Sequence, residues 1–116
     1  MPKKDSKSLW EILVPNYDNS GKKYDLDYHH KWDDEVRKLT GGLTILKTAK
    51  GQWINNDGTL FSEEMIPVRL YCTKSDISDI VDLTMQHYSQ EAVLAYKVSS
   101  EVILRYNPKF INVIID

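Results

Sequence analysis

Gly41-Gly42-Leu43-Thr44-Ile45-Leu46-Lys47-Thr48-Ala49-Lys50-Gly51-Gln52-Trp53 is the stretch on which the fold turns. A helical pattern ends on the Gly pair, because glycine adopts the left-handed conformation that stops a helix. An apolar strand, Leu43 to Leu46, follows at once. Lys50-Gly51-Gln52 then turns the chain into another strand at Gln52 to Ile54. The stretch gathers a cation, an amide and an indole in one place, and it carries no reaction signature.

Upstream, Asp25 or Asp27 is positioned to cap the helix. His29, Trp32, Val36 and Leu39 recur at spacings of three and four and form its apolar stripe. Asp33 with Arg37 and Asp34 with Lys38 are i,i+4 pairs on its wet side. Before the helix, residues 1–7 read as a loose arm and 8–116 as one domain. Ser8 to Val14 alternates as a strand, with Trp10, Ile12 and Val14 on one face and Leu9, Glu11 and Leu13 on the other. Asp18-Asn19-Ser20-Gly21 marks a loop.

Downstream, Asn55-Asn56-Asp57-Gly58 between Gln52–Ile54 and Thr59–Phe61 is a hairpin signal, since tight turns need positive φ. Glu63-Glu64 reads as the loop before the next strand. That strand, Ile66 to Cys72, again alternates. Ile66, Val68 and Leu70 face one way, Arg69 and Tyr71 the other. Thr73 or Ser75 caps a second helix whose buried stripe is Ile77, Ile80, Val81, Thr84 and Tyr88. Ala92 to Val98, Glu101 to Tyr106 and Phe110 to Ile115 read as strands. The order is β-α-β-(hairpin)-β-α-β plus C-terminal strands. This is the ferredoxin-like α+β order, which predicts an antiparallel sheet with both helices on one face, plus a β-hairpin.

In that topology the first and third core strands are neighbours, so Glu11 and Arg69 come opposite each other amid Leu9, Leu13 and Tyr71. Such a half-apolar face calls for a cover, whether a second subunit, the C-terminal strands or a ligand. An Arg in mid-strand needs a carboxylate or phosphate partner. Glu11 is one candidate and a ligand anion the other. Tyr96 and Lys97 on the fourth core strand are expected on the same face.

The composition bounds the function. At 116 residues with a net charge of −2, the chain has no general attraction for nucleic acid or an anionic membrane. It has no apolar run of membrane-spanning length, and Met1-Pro2-Lys3-Lys4 opens no signal peptide. Cys72 is the one cysteine, which excludes an internal disulfide and fits a reducing cytoplasm. His29 and His30 are adjacent, point about 100° apart on a helix and cannot chelate one ion. No zinc spacing, nucleophile elbow or cofactor fingerprint is present, so no metal, cofactor or catalytic set is expected. His29 is open to two readings, a packed hydrogen-bonded histidine or a ligand or acid–base group. Lys50-Gly51-Gln52 is either a plain turn or an anion-holding one. Trp53 either packs or stacks on a planar ligand.

The pattern Trp32-Asp33, Gly41-Gly42-Leu43-Thr44, Lys50-Gly51-Gln52-Trp53 and Ile66-Pro67-Val68-Arg69 resembles small uncharacterised proteins of bacteriophages and bacteria. It is distantly similar to a domain-of-unknown-function family with a helix, a Gly-Leu-Thr strand and a Gly-x-Trp turn, over roughly residues 8–106. The resemblance carries no activity. It implies a small phage protein acting in the host cytoplasm, of a kind that includes sponges and inhibitors aimed at host defence.

The expected function is therefore a non-enzymatic homo-oligomer, at least a dimer, holding a small anionic, nucleotide-type ligand. Its candidate binding residues are Arg69, Lys50, Gln52, Trp53, Tyr96, His29 and Glu11. The competing expectations are an enzyme of the dimeric α+β barrel type, with His29 or Tyr96 as proton carrier, and a protein inhibitor of a host enzyme.

Overall fold

The computed structural model describes residues 6–111. The elements run β1 (Lys7–Pro15), α1 (Leu26–Thr40), β2 (Thr44–Ile45), β3 (Ala49–Ile54), β4 (Leu60–Thr73), α2 (Lys74–His87), β5 (Ala95–Ser99) and a short α3 (Pro108–Ile111). The five-stranded sheet has the order β2-β4-β1-β5, and β3 pairs β4 beyond the end of β2. Every pairing is antiparallel. The fold is the α+β, ferredoxin-like arrangement, with β4 as its spine.

The core lies where strand alternation meets the two helical stripes. Ile12 and Val14 of β1 and Val68 and Leu70 of β4 are buried against Trp32 and Val36 of α1 and Ile77 and Ile80 of α2. Burying each of these aliphatic side chains contributes about 1.5–3 kcal/mol. A one-residue slip of β1 against β4 would turn all of its set to the other face, so the register is held by the core. Inside it, the Trp32 indole N–H donates to Thr84 Oγ1 at 2.9 Å, and Thr84 Oγ1 donates to the Ile80 carbonyl at 2.6 Å.

Both α1 and α2 start on expected caps, and α1 stops on an expected glycine. The Asp25 carboxylate accepts from the Tyr28 N–H, and Thr73 Oγ1 accepts from the Asp76 N–H, each satisfying a free N-terminal donor. Gly41 ends α1 at φ 84°, and its N–H donates to the Arg37 carbonyl. Gly58 supplies the positive φ of the Asn55–Gly58 turn.

Several expectations are corrected. β1 begins at Lys7, inside the expected arm, while residues 1–5 lie outside the described residues. β4 runs unbroken from Leu60 to Thr73, so Glu63 and Glu64 are strand residues paired with Gly51 and Lys50 rather than a loop. The hairpin partner supplies the hydrogen bonds that carry the strand through them. Leu39, expected on the apolar stripe, is exposed in the last turn of α1. The exposed ion pairs of α1 are i,i+3, Asp34 with Arg37 and Glu35 with Lys38. β5 starts at Ala95 rather than Ala92, and ahead of it the Leu94 carbonyl accepts from the Leu13 N–H at 3.1 Å. Glu101 to Tyr106 form no strand, since no described segment pairs with them. Phe110 begins no strand either. It sits in α3, where Asn107 accepts from the Lys109 N–H ahead of Pro108, and the remainder of the expected last strand lies outside the described residues.

Candidate functional site

Odd-numbered residues of β1 and β4 project from the sheet face opposite the helices. Glu11 stands directly across from Arg69 on one side and from Tyr96 of β5 on the other. The Arg69 Nε–H donates to Glu11 Oε1 at 2.9 Å, and the Tyr96 hydroxyl donates to Glu11 Oε2. The Glu11 side chain is 8% exposed, against 41% for Arg69. Burial pushes the Glu11 carboxyl up, but the hydrogen bonds from Tyr96 and Arg69 and the guanidinium charge outweigh it and hold the group below its ordinary 4.5. The same hydrogen bond holds the Tyr96 proton and raises that hydroxyl above 10.

Arg69 spends only Nε on Glu11. Its two terminal nitrogens have no hydrogen-bond partner among the described residues. The side chain borders a hollow of about 410 Å³ that also includes Lys7, Tyr71, Thr44 and the Gly41-Gly42 pair, with Tyr106 at its rim. Lys7 Nζ lies 5.7 Å from the centre of the Tyr71 ring. Two cations, two phenols and a threonine hydroxyl thus surround one open space, a donor set suited to an anion. The hollow falls within the size range of small-molecule sites, about 300–1,000 Å³.

A second hollow, of about 350 Å³, lies further along the same face. Leu13, Met65, Val93 and Leu94 make it apolar, and Trp53 and Glu63 close it from the hairpin arm. Trp53 stacks on Phe61 with ring centres 4.6 Å apart, and its indole N–H points to Glu63 Oε2 at 3.4 Å. Gly51 is opposite Glu63, and a Cβ there would meet the Met65 side chain at 3.4 Å.

The candidate residues are therefore divided. Glu11, Arg69 and Tyr96 share the centre of the open face, and Trp53 lies toward one end of it. Gln52 borders the second hollow, though its strand partner Ser62 alternates to the opposite face. Lys50 is not brought there, and Lys50-Gly51-Gln52 is not the expected turn, because all three residues lie inside β3 and pair with β4. Lys50 pairs with Glu64 and borders a separate hollow with Thr48 and Ser62, because adjacent strand residues point to opposite faces. Lys97 is turned away too, with its Nζ 5.7 Å from the Trp10 ring on the other face.

His29 belongs to the helical layer. Its Nδ1 lies 2.7 Å from the Tyr88 hydroxyl and its Nε2 3.3 Å from Asn16 Oδ1, within a cluster of tyrosines. Burial pushes its pKa below 6.5. The cavity beside it is about 140 Å³, room for a few waters and not for a nucleotide. Cys72 is buried and its thiol is pushed up to about 11 by that burial, so it offers no nucleophile.

Sequence reasoning missed Lys7, Tyr106 and Glu63. Extending the Leu9-Glu11-Leu13 alternation back one step finds Lys7, and reading β4 as continuous puts Glu63 on the face of Arg69. Nothing in the local pattern marks Tyr106.

The architecture defines the class as a ferredoxin-like α+β domain with an uncovered sheet face, and solved structures of that fold match the chain over nearly its whole length. A phage SAM lyase in complex with S-methyl-5'-thioadenosine is similar at TM-score 0.62 and 12% identity, covering 90% of this chain and 98% of the lyase. CutA from the plant-pathogenic bacterium Xylella fastidiosa is similar at TM-score 0.61 and 14% identity, covering 92% of each chain. CutA1 from the psychrotrophic bacterium Shewanella sp. SIB1 is similar at TM-score 0.60 and 14% identity, covering 93% of this chain and 92% of that one. No family profile matches the chain, and no curated protein matches it. Among the described residues no helix is long and apolar enough to cross a membrane.

Proposed function

We propose that the chain is a non-enzymatic binding protein that holds a small anionic, nucleotide-type ligand on the open sheet face, in a homo-oligomer of at least two copies. One observation carries the reading. Arg69 is anchored by Glu11 through Nε while its terminal nitrogens, with Lys7, border an open hollow. A guanidinium fixed at one edge is pre-organised to take a phosphate or carboxylate at the other. Oligomerisation is supported by the apolar side chains on and around this face. Leu94, Tyr96, Leu104 and Tyr106 are all exposed in the single chain. A phage origin is supported by the sequence resemblance and by the phage enzyme among the structures of this fold, itself bound to a nucleoside thioether. For a phage-encoded chain, the consequence is a sponge that removes a host signal in the host cytoplasm.

The test is mass spectrometry of small molecules released by heat from protein purified out of signalling-competent cells, with native mass on the same sample. An intact anionic ligand on a multimer is expected, and lost on Arg69→Met. A monomer with nothing bound overturns the reading.

The Tyr96–Glu11 contact favours one second reading, an enzyme acting on a sulfonium nucleoside as the phage SAM lyase does. Incubation with S-adenosylmethionine separates the two. Release of S-methyl-5'-thioadenosine, abolished in Tyr96→Phe, establishes the enzyme and refutes simple sequestration.

A further inference from the structure

A smaller hollow lies on the helical face of the sheet, where the start of β1 meets the start of α2. Its volume is about 220 Å³, and Ser6, Ser8, Trp10, Lys74 and Lys97 line it. The register brings them together. Ser8 stands opposite Cys72, Trp10 stands opposite Lys97 of β5, and β4 passes into α2 between Thr73 and Lys74. Every polar side chain on this lining can donate a hydrogen bond, and none is a carboxylate. Neither lysine has an ion-pair partner among the described residues. Ser8 is 5% exposed, and no described residue hydrogen-bonds its hydroxyl. The Trp10 indole N–H is buried without an acceptor among the described residues, whereas the core indole of Trp32 has Thr84. Such an orphan is rare, because a buried donor loses its water and gains no partner. Lys97 Nζ lies 5.7 Å from the centre of the Trp10 ring, which keeps that cation beside the indole. α2 begins at Lys74, so the positive end of its dipole is close by. Asp76, the acidic residue of that first turn, does not line the hollow.

We propose that this hollow is an anion site for a phosphoryl group. Lys74 and Lys97 supply the charge, and the Ser8 hydroxyl and the Trp10 N–H supply short-range donors whose missing acceptor is a phosphoryl oxygen. The ligand is a tetrahedral dianion, either free phosphate or the end of a small phosphate monoester. Two cations balance its charge, and the donors outnumber the two oxygens that a carboxylate would offer. The volume falls below the roughly 300 Å³ at which sites for whole small molecules begin, so the hollow takes a group of this size and not a nucleotide. Ser6 at the rim is exposed, which leaves room for a substituent. The site lies on the sheet face opposite Arg69 and is independent of the ligand proposed there.

The probe is inorganic phosphate, titrated at constant ionic strength into the isotope-labelled full chain and followed by two-dimensional NMR. The Trp10 indole signal, identified by its loss in Trp10→Phe, is expected to move saturably while that of Trp32 stays. Lys74→Gln, Lys97→Gln and Ser8→Ala, each with an unaltered melting curve, should each weaken the apparent affinity about tenfold, the worth of one hydrogen bond to a charged group. Ser8→Ala changes no charge, so its loss separates a built site from a diffuse cationic surface. Arg69→Met should leave the titration unchanged. Methyl phosphate binding tighter than phosphate identifies the ligand as a monoester, and the reverse order identifies it as the free ion. A Trp10 signal that stays put at tens of millimolar phosphate overturns the site, and so does one that moves equally with chloride. A shift lost in Arg69→Met but kept in both lysine variants assigns the binding to the other face and overturns it too.

Discussion

Glu11 and Arg69 face each other across the β1–β4 ladder, and the pair is lopsided, with the carboxylate nearly buried and the guanidinium partly wet. The carboxylate is thus the member that depends on its partner. Arg69→Ala leaves a buried acceptor with Tyr96 alone and is expected to cost about 2 kcal/mol, less than for a fully buried pair because water reaches the site. Melting should fall by roughly 8 °C. Adding Glu11→Leu should recover most of that loss, and a double variant no more stable than Arg69→Ala contradicts this account.

Acid should weaken the fold in two stages. His29 is held below 6.5 in the folded chain by burial, so the unfolded chain takes up its proton first. Its contribution is complete above pH 6.5 and is lost as pH falls through the folded value, by at most about 1.4 kcal/mol per pH unit. Glu11, held below 4.5, adds a second loss below that pH. Asp33 is raised above 3.8 by burial and opposes Glu11 there, because its contribution is lost as pH rises through its folded value. Urea titrations from pH 7.5 to 5 should show the first stage, and His29→Gln should flatten it.

Thr84 joins α1 to α2 by accepting from the Trp32 indole inside the core. Thr84→Val keeps the shape but orphans a buried N–H, an expected loss of about 1–3 kcal/mol. Thr84→Ser keeps the acceptor and gives up one methyl, about 1 kcal/mol. Denaturant midpoints that rank Val above Ser refute the role of this bond.

The two adjacent glycines should behave differently. Gly41 has φ 84°, so Gly41→Ala forces an L-residue into the left-handed region at about 1 kcal/mol. Gly42 has no such φ, and a Cβ added there would meet nothing within 4 Å, so Gly42→Ala should leave the melting temperature unchanged within a degree or so. Equal losses at both positions would contradict the cap geometry.

Much of this fold is legible because period two in β1 and β4 and the helical stripes agree on one buried face. The Glu11–Arg69 pairing follows from strand order and alternation alone. The readings that fail lie where tertiary pairing overrides local signals. Glu63-Glu64 suggests a loop, yet the β3 partner carries β4 straight through it. Lys50 and Trp53 are close in sequence, and pleating sends them to opposite faces. The Glu101–Tyr106 stretch has strand composition but pairs with no described segment. The cationic hollow joins Lys7, Arg69 and Tyr106 from distant parts of the chain, and no local pattern encodes that meeting.

β4 bonds to β1, β2 and β3, and none of those three bonds to another of them. All three leave the ribosome before it does. For the first sixty or so residues of synthesis the nascent chain therefore holds three strands with no mutual ladder, and sheet assembly waits for one late segment. A pause or truncation ahead of residue 73 would leave those unmatched edges exposed to other chains, and a codon change that slows translation there would raise aggregation without altering a single side chain.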